Sequence, residues 1–481
     1  MFHNTTVPEN AANCTVERGA IRNIGCETRR SMALDAAVST PTDPVGEAVV
    51  RFIGELIPNA TVDLRYESLD EPPSMPAPPS PAITSASAEV VPGWRTTISV
   101  GLRDRGIATI ESVPDALLAL PNAALRAAKG FRHLTGDDRL SPSVERALRD
   151  TVVVELLGQH QGWFDPACAP TELLADTLEY LIELGGARVE SRRLTHGVVI
   201  TDAIADEPRL SVPYPAGLRD AKRSPLLFDG QRAVLLVDQH GRARTELQAH
   251  RPDRLHPSTV PMGPIDREFV DSGSLVGQVT RQLGGIGFFL REDRSIWTFL
   301  DGQPLVIRRS EHWSAFPLWL ARTLGSSIIE SPAVDLVVQA SLLVSIREGG
   351  AIFGIVDEPA DLGDVVPAKD RFDLRDEYDV DAMRPETRLH HLIDGGDVDA
   401  QTLARLGQLD GATIVDRNGR LISYGAILTS SDSQHEGART AAAKSLSQLA
   451  LVALKVSEDG DITVFRGGHP KVTLLPSGSI R

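Results

Sequence analysis

Three short segments in the C-terminal part of the chain carry residue types that together can hold a metal-bound phosphate. They are Asp410-Gly411-Ala412, Gly437-Ala438-Arg439-Thr440 and Ser457-Glu458. Carboxylates bind divalent cations, whereas arginine and the free N–H groups at a helix start bind phosphate oxygens. Residues of these types in one part of the chain indicate phosphate chemistry assisted by a metal ion.

Asp410 follows a predicted helix and precedes a predicted buried strand. A carboxylate at such a strand start can face a cleft and hold a divalent cation that bridges phosphate oxygens. Gly411 would let backbone or ligand approach closely. The alternative is that Asp410 caps a turn before the strand, which is what an Asp-Gly pair taken alone favours.

Gly437 opens a predicted helix after a polar loop. The free N–H groups and the dipole of a helix start attract anions. Arg439 in the first turn would add a bidentate phosphate contact, and the Thr440 hydroxyl would add another donor. The alternative is a flexible loop joined to an exposed, alanine-rich helix.

Glu458 ends a predicted strand and enters the Asp459-Gly460 turn. It is a candidate second metal ligand, or a base near a ribose hydroxyl. The alternative is a hairpin-turn glutamate that faces water.

Helix and strand signals around these segments predict a mixed sheet covered by helices. Ser331-Pro332 predicts a helix start, and Gly349-Gly350 predicts the end of that helix. Asn418-Gly419 predicts a two-residue hairpin turn. The other predicted elements are strand 351–356, helix 399–406, strands 412–415 and 421–427, helix 437–450, and strands 451–456 and 462–465.

In order and spacing, this region resembles the diadenylate cyclase (DAC) domain, of the kind found at the N-terminus of DNA-integrity scanning proteins. That family carries an Asp-Gly-Ala motif, a Gly-Thr-Arg-His-Arg-Ala-Ala motif and a Val-Ser-Glu strand end. The chain has Asp-Gly-Ala at 410–412, Gly-Ala-Arg-Thr-Ala-Ala-Ala at 437–443 and Val-Ser-Glu at 456–458. Its Gly-Gly-Ala-Ile at 349–352 is similar to the family's opening strand, and the resemblance spans residues 331–467.

The resemblance implies an enzyme that joins two ATP molecules into cyclic di-AMP and releases pyrophosphate. It implies catalytic roles for Asp410, Gly411 and Ala412, and Mg²⁺ or Mn²⁺ held by Asp410 and Glu458. The residues that it implies for ATP and phosphate binding are Gly437, Ala438, Arg439, Thr440 and Ser457. Because two ATP molecules must face each other, it also implies a homo-oligomer with facing active sites.

The phosphate-binding motif departs from the family at three positions. The chain has Ala438, Thr440 and Ala441 where the family has a threonine, a histidine and a second arginine. Loss of a cation and an imidazole weakens phosphate binding or transition-state stabilisation. The alternative function is therefore a catalytically degenerate DAC-fold module that binds a nucleotide within a signalling protein.

The composition of the whole chain favours a cytoplasmic protein. Its 481 residues include 65 acidic and 49 basic side chains, and the net charge of −16 disfavours nucleic acid and anionic lipid as partners. Three cysteines do not make a disulfide framework. No apolar run approaches the roughly 20 residues that span a bilayer.

The predicted fold class is α/β, with a C-terminal DAC-like mixed sheet flanked by helices and a separate mixed α/β or α+β module before it. Residues 1–43 are a predicted disordered leader. Residues 44–265 are a predicted sensor module with a proline-rich loop at 71–81, and residues 275–470 are the DAC-like domain with its core at 331–467. Within 275–330, the sequence predicts an amphipathic helix over 313–324.

Overall fold

The computed structural model describes most of the chain from residue 41 onward. The described ranges are 41–57, 60–70, 84–102, 115–134, 139–160, 170–189, 191–203, 211–219, 224–248, 275–316, 331–347, 349–363, 365–367, 370–373, 396, 398–428 and 437–475. The proline-rich segment 71–81 and most of the predicted leader lie outside these residues. The described residues from Pro41 onward belong to one compact unit.

Ten α-helices occur within the described ranges. They are α1 Pro44–Leu56, α2 Asp115–Leu118, α3 Leu120–Gly130, α4 Pro142–Gly158, α5 Pro170–Gly186, α6 Ala216–Arg219, α7 Leu275–Leu283, α8 Pro332–Ile346, α9 Ala400–Gly407 and α10 Ala438–Leu449.

A three-stranded antiparallel sheet begins the fold, in the order β1-β3-β2. Its strands are β1 Ala60–Ser68, β2 Thr84–Glu89 and β3 Trp94–Leu102. Exposure alternates along β1 and β2, because successive side chains of a strand point to opposite faces and only one face is covered. Helices α1 and α3 pack against this sheet. A short ribbon of β4 Arg188–Val189 and β5 Arg192–Arg193 lies further along the chain.

An eight-stranded sheet has the order β13-β12-β11-β10-β6-β8-β9-β7. Its strands are β6 His196–Ile200, β7 Val212–Pro213, β8 Ala233–Val237, β9 Arg242–Gln248, β10 Ile286–Leu290, β11 Ile296–Leu300, β12 Gln303–Arg309 and β13 His312–Ala315. Strands β6 and β10 are antiparallel neighbours, with Ile200 opposite Ile286. The interval between the two predicted domains, 265–275, therefore falls between strands of one sheet.

The predicted helix over 313–324 is wrong at its start. Residues 312–315 form β13, which pairs with β12 through a turn in which Ser310 and Glu311 both have positive φ. Two positive φ values in a two-residue turn suit the twist of an antiparallel hairpin. The Trp313 indole also donates to the Asp150 carboxylate at 2.7 Å, which anchors the strand to α4. Residues 317–324 lie outside the described residues.

The third sheet has six strands in the order β16-β15-β14-β17-β18-β19. They are β14 Ala351–Val356, β15 Ala412–Asp416, β16 Leu421–Ala426, β17 Val452–Val456, β18 Ile462–Arg466 and β19 His469–Leu474. Strands β14 and β15 are parallel, and the other pairs are antiparallel. The Asn418-Gly419 hairpin is confirmed, with Gly419 at φ +83° and its N–H bonded to the Asp416 carbonyl at 3.0 Å.

Helices cover both faces of the six-stranded sheet. Phe353 and Ile355 of β14 belong to the hydrophobic cluster that includes α8 and α9, whereas Ile352 and Val356 belong to a second cluster that includes α10. A strand that is buried on both faces has a continuous run of apolar residues, and this accounts for the apolar sequence from Ala351 to Val356. This mixed, helix-flanked sheet confirms the predicted α/β class.

Capping residues set the helix starts around this sheet. The Ser331 hydroxyl accepts from the Ala333 N–H at 3.2 Å and precedes Pro332 at the first position of α8. Asp399 accepts from the Thr402 N–H at 2.6 Å and begins α9. Among the described helices, none is long and apolar enough to cross a membrane.

Candidate functional site

A cleft of about 670 Å³ opens at one edge of the six-stranded sheet. Because β14 and β15 are parallel, both begin at this edge, and the antiparallel strands β16 and β17 end there. The cleft is lined by residues 350–352, 408–412 and 426–428, together with Ala438, Arg439 and Ala442. The sheet topology therefore brings the start of α10 next to the loop that precedes β15.

Asp410 lines the cleft and is exposed. Its carboxylate makes no hydrogen bond or ion pair with any residue in the described part of the chain. No hydrogen bond among the described residues supports the alternative role of Asp410 as a turn cap. The carboxylate is available to a cation in the cleft.

Gly411 fixes the backbone that carries this carboxylate. Its φ is +103°, and a Cβ added to it would lie 2.4 Å from the carbonyl carbon of Gly425 in the neighbouring strand. Only glycine tolerates both conditions. Ala412, which follows, is fully buried and pairs with Ile352 of β14 and with Ala426 of β16.

Arg439 reaches the cleft from the first turn of α10. Its guanidinium lies against the backbone of Gly350, where an added Cβ would come within 2.4 Å of Cζ and Nη1. The Nη1 group also donates to Glu458 Oε1 at 2.8 Å. Gly350 thus provides the space for the guanidinium, and Glu458 holds it in place.

Glu458 and Ser457 lie in the turn between β17 and β18 and do not line the cleft. The Ser457 hydroxyl accepts from the Asp461 N–H at 3.1 Å, and the Ser457 N–H donates to the Asp461 carbonyl at 2.9 Å. Ser457 therefore closes the turn, whereas Glu458 touches the cleft through Arg439.

The start of α10 has no capping side chain among the residues that the structure describes. Gly437 is the N-cap residue and makes no side-chain cap, so no described side chain occupies the first N–H groups of this 12-residue helix. Of the predicted phosphate-binding residues, Ala438 and Arg439 line the cleft, whereas Gly437 and Thr440 do not. Ala441 is only 3% exposed. That position is built for a small apolar side chain.

Lys455 is a cation near the site that motif reading missed. Its Nζ donates to the Thr440 hydroxyl at 3.2 Å, across from β17 to the first turn of α10. Alternation along β17 places Lys455 on the same face as Ala453, which is buried in the cluster beneath α10. The lysine supplies a positive charge beside this helix start.

The cleft fits a metal ion only if a phosphate completes the coordination. No group of three or more His, Cys, Asp or Glu side chains suited to a metal occurs among the described residues. Among the described residues, Asp410 is the one carboxylate that lines the cleft, and Glu458 is paired with Arg439. Mg²⁺ is usually held by one or two carboxylates together with substrate phosphates and water. Asp410 matches that arrangement.

Apolar side chains lie beside these polar groups. Leu409 and Ile427 line the cleft and are 51% and 62% exposed, which is high for large hydrophobic residues. Exposed apolar residues that cluster at a cleft indicate contact with a ligand or with another protein surface.

Comparisons with known proteins place the chain in no family. No family model matches it, and no curated protein matches it. Among solved structures, a hypothetical membrane spanning protein from Bacillus cereus aligns at 19% identity over 33% of this chain and 72% of its own, with a TM-score of 0.25. A double mutant of DacA from Staphylococcus aureus aligns at 21% identity over 29% of this chain and 85% of its own, with a TM-score of 0.22. Similarity of this extent does not establish a shared function.

Proposed function

We propose that the cleft binds ATP with a divalent cation and that the chain is a diadenylate cyclase-like nucleotidyltransferase. The observation that carries the proposal is that Asp410 and Arg439 line one cleft at the start of α10. A volume of about 670 Å³ falls within the range of about 300–1,000 Å³ for small-molecule sites. A carboxylate, a guanidinium and a helix start are the groups that a metal-bound triphosphate needs.

In the proposed reaction, the 3′-hydroxyl of one ATP attacks the α-phosphorus of a second ATP. A new P–O bond forms, the bond to the β-phosphate breaks, and pyrophosphate leaves with the electron pair. A second, reciprocal attack closes cyclic di-AMP and releases a second pyrophosphate. Each attacking hydroxyl loses its proton to solvent or to a nearby carboxylate.

Each residue in or near the cleft has a proposed role that follows from its position. Arg439 and the start of α10 bind and orient the phosphates, with Lys455 adding positive charge beside Thr440. Mg²⁺ or Mn²⁺ held by Asp410, with Glu458 as a further candidate ligand, would neutralise phosphate charge. Leu409 and Ile427 supply apolar area for the base or for a facing protomer.

A homo-oligomer with facing sites follows from the proposed reaction, because one cleft holds one ATP. The rate per chain should then rise with protein concentration until the oligomer is fully formed. A rate per chain that does not change over a wide dilution series, in a monomeric protein, would contradict this part of the proposal.

The second candidate function is a module that binds a nucleotide without converting it. Thr440 and Ala441 stand where the DAC motif has a histidine and an arginine. Ala441 is buried, and Thr440 is bonded to Lys455. In this second candidate, Arg439 and Lys455 would bind phosphate, and fewer groups would remain to stabilise a transition state.

One experiment separates the two candidates. The purified chain is incubated with ATP and Mn²⁺, and cyclic di-AMP and pyrophosphate are measured together with ATP binding. The proposed activity predicts both products, and their loss in Asp410→Asn, which keeps the side-chain shape and removes the charge. Asp459→Asn is the matched control, since it removes an exposed carboxylate from the nearby turn.

Three outcomes decide the matter. Product formation by Asp410→Asn at the wild-type rate would remove the site assignment. Binding of ATP without product would favour the binding module. Failure to bind ATP at millimolar concentration would overturn both.

A further inference from the structure

A second cleft, separate from the first, is lined by three arginines. Its volume is about 500 Å³, and the arginines are Arg193, Arg291 and Arg347. They come from β5, from the turn after β10 and from the residue after α8. Among the described residues, the two clefts share no lining residue. The sequence motifs do not include residues of this second cleft, and the proposed function assigns it no role.

Convergence of three guanidiniums is unexpected in a protein with a net charge of −16. Like charges gathered around one cleft repel each other, and an anion between them would reverse the sign of that interaction. Arg347 alone would be explained by its place at a helix C-terminus, where a cation is favourable. Arg193 and Arg291 have no such explanation, because they lie on a strand and a turn.

The two acidic residues of the lining offset two of the three arginine charges and leave one positive charge in excess. Asp293 accepts from the N–H and the hydroxyl of Ser295, at 2.8 and 2.6 Å, and so stabilises its own turn. Glu292 receives a hydrogen bond from Arg193 Nη1 at 3.2 Å through its backbone carbonyl, not through its carboxylate. Arg193 and Arg347 form no ion pair with any residue that the structure describes.

Two of the three arginines, Arg291 and Arg193, are held by their surroundings. The Arg291 guanidinium carbon lies 5.2 Å from the centroid of the Trp297 ring, a cation–π geometry. Trp297 is buried, and its indole N–H donates to the Ser295 hydroxyl at 3.0 Å. The hydrogen bond to Glu292 fixes Arg193 in the same way. A preorganised site loses less conformational entropy when its ligand binds.

We propose that this cleft is a binding site for a small phosphorylated molecule, a diphosphate or a triphosphate. The planar fork of arginine matches the oxygens of phosphate bidentately, and three forks suit an anion with several phosphate oxygens. Thr195 and Gln231 add neutral hydrogen-bonding groups to the lining, and Phe289 adds an aromatic wall. The volume is within the range of small-molecule sites.

The test measures binding of inorganic triphosphate to the full chain by calorimetry, in low salt without metal. The site variant is Arg193→Gln with Arg347→Gln, two exposed residues whose replacement leaves the core intact. The control variant is Arg188→Gln with Arg294→Gln. Those arginines are also exposed, lie on the paired strand β4 and in the same turn, and do not line the cleft. All measurements use an Arg439→Gln background, which weakens binding at the first cleft.

The expected result is binding that weakens at least about tenfold in the site variant and changes by less than about threefold in the control variant. Absence of binding at millimolar triphosphate in the Arg439→Gln background would overturn the proposal, and so would equal weakening in both variants. If citrate bound as tightly as triphosphate, the site would not select phosphate over carboxylate, and the proposed ligand class would be overturned. A single-stranded oligonucleotide binding more tightly than triphosphate would overturn the assignment to a small molecule.

Discussion

The Arg439 guanidinium donates to the Glu458 carboxylate at 2.8 Å and so joins the first turn of α10 to the turn after β17. Both side chains are largely exposed, at 49% and 73%. Such a pair contributes little to folding stability, and its effect is to orient the guanidinium. In the proposed site, an incoming phosphate must compete with Glu458 for Arg439.

Replacing Arg439 should weaken ATP binding. Arg439→Ala removes the guanidinium that lines the cleft, and we expect the Kd for ATP to rise about tenfold or more, the usual loss for a charge-assisted contact. Arg439→Lys should recover only part of this, because an ammonium lacks the bidentate fork. Arg466→Ala removes an exposed arginine of β18 and is the control. Unchanged affinity in Arg439→Ala would exclude this arginine from the site.

Replacing Glu458 should have the opposite effect when no metal is present. Glu458→Gln removes the carboxylate that competes with phosphate for Arg439, so metal-free ATP should bind up to about fivefold more tightly. The measurement is titration with ATP in excess EDTA. Weaker binding seen only in the presence of Mn²⁺ would instead support Glu458 as a metal ligand. Weaker binding in both conditions would contradict the competition.

Lys455 should contribute to phosphate binding although it lies outside the motif. Its ammonium donates to the Thr440 hydroxyl at 3.2 Å, and Lys455→Met keeps the aliphatic stem while removing the charge. We expect ATP affinity to fall by about threefold to tenfold and the salt dependence of binding to decrease. Lys471→Met, an exposed position on β19, is the control. Equal effects of the two substitutions would show a general charge effect and no specific role.

Gly411 should be intolerant of any side chain. Gly411→Ala forces a Cβ to within 2.4 Å of the Gly425 carbonyl carbon at a φ of +103°, and we expect a loss of roughly 2 kcal/mol or more in the free energy of unfolding. Gly54→Ala makes the same chemical change at a helical position with nothing within 4 Å. It should stabilise the protein by about 0.5–1 kcal/mol. Denaturant unfolding followed by circular dichroism measures both, and equal stabilities would show that the Gly411 backbone relaxes freely.

His196 should make the stability of the chain depend on pH. It is fully buried against Tyr180 and Phe228, neither ring nitrogen has a described partner, and burial lowers its pKa to about 4. The unfolded chain takes up a proton near pH 6.5 but the folded chain does not, so stability present above pH 6.5 is lost as the pH falls toward 4. Between pH 7 and pH 5 we expect a loss of about 2 kcal/mol.

The comparison variant for this prediction is His196→Phe, which keeps a ring among the same aromatic neighbours and cannot titrate. Its unfolding free energy should change less between pH 7 and pH 5 than that of the wild type, by about the amount that His196 contributes. Identical pH profiles for the two proteins would show that the buried imidazole does not control this dependence.

Local signals explain why the elements around the first cleft were predictable from sequence. Ser331-Pro332, Gly349-Gly350 and Asn418-Gly419 each specify a start, an end or a turn through their own backbone preferences. The structure has α8, β14 and the β15–β16 hairpin where these signals place them. Strand β19 was not predicted, because Pro470 and a mostly exposed pattern are what an edge strand tolerates and also what a loop shows.

Non-local relationships were not accessible in the same way. The approach of Lys455 to Thr440 depends on how α10 lies over β17, and the ion pair of Glu458 depends on the same packing. The three arginines of the second cleft lie far apart in sequence, and only the tertiary fold brings them together. Strands β6 and β10 also lie far apart in sequence. The sequence therefore predicts a domain boundary between them, whereas the structure has both strands in one sheet.

That shared sheet has a practical consequence for work on isolated fragments. A fragment beginning at residue 275 would contain β10 without its neighbour β6. All five residues of β10 are buried in the full chain, and an uncovered apolar edge strand invites intermolecular pairing. Such a fragment would be prone to aggregate, and its inactivity would say nothing about the cleft at Asp410.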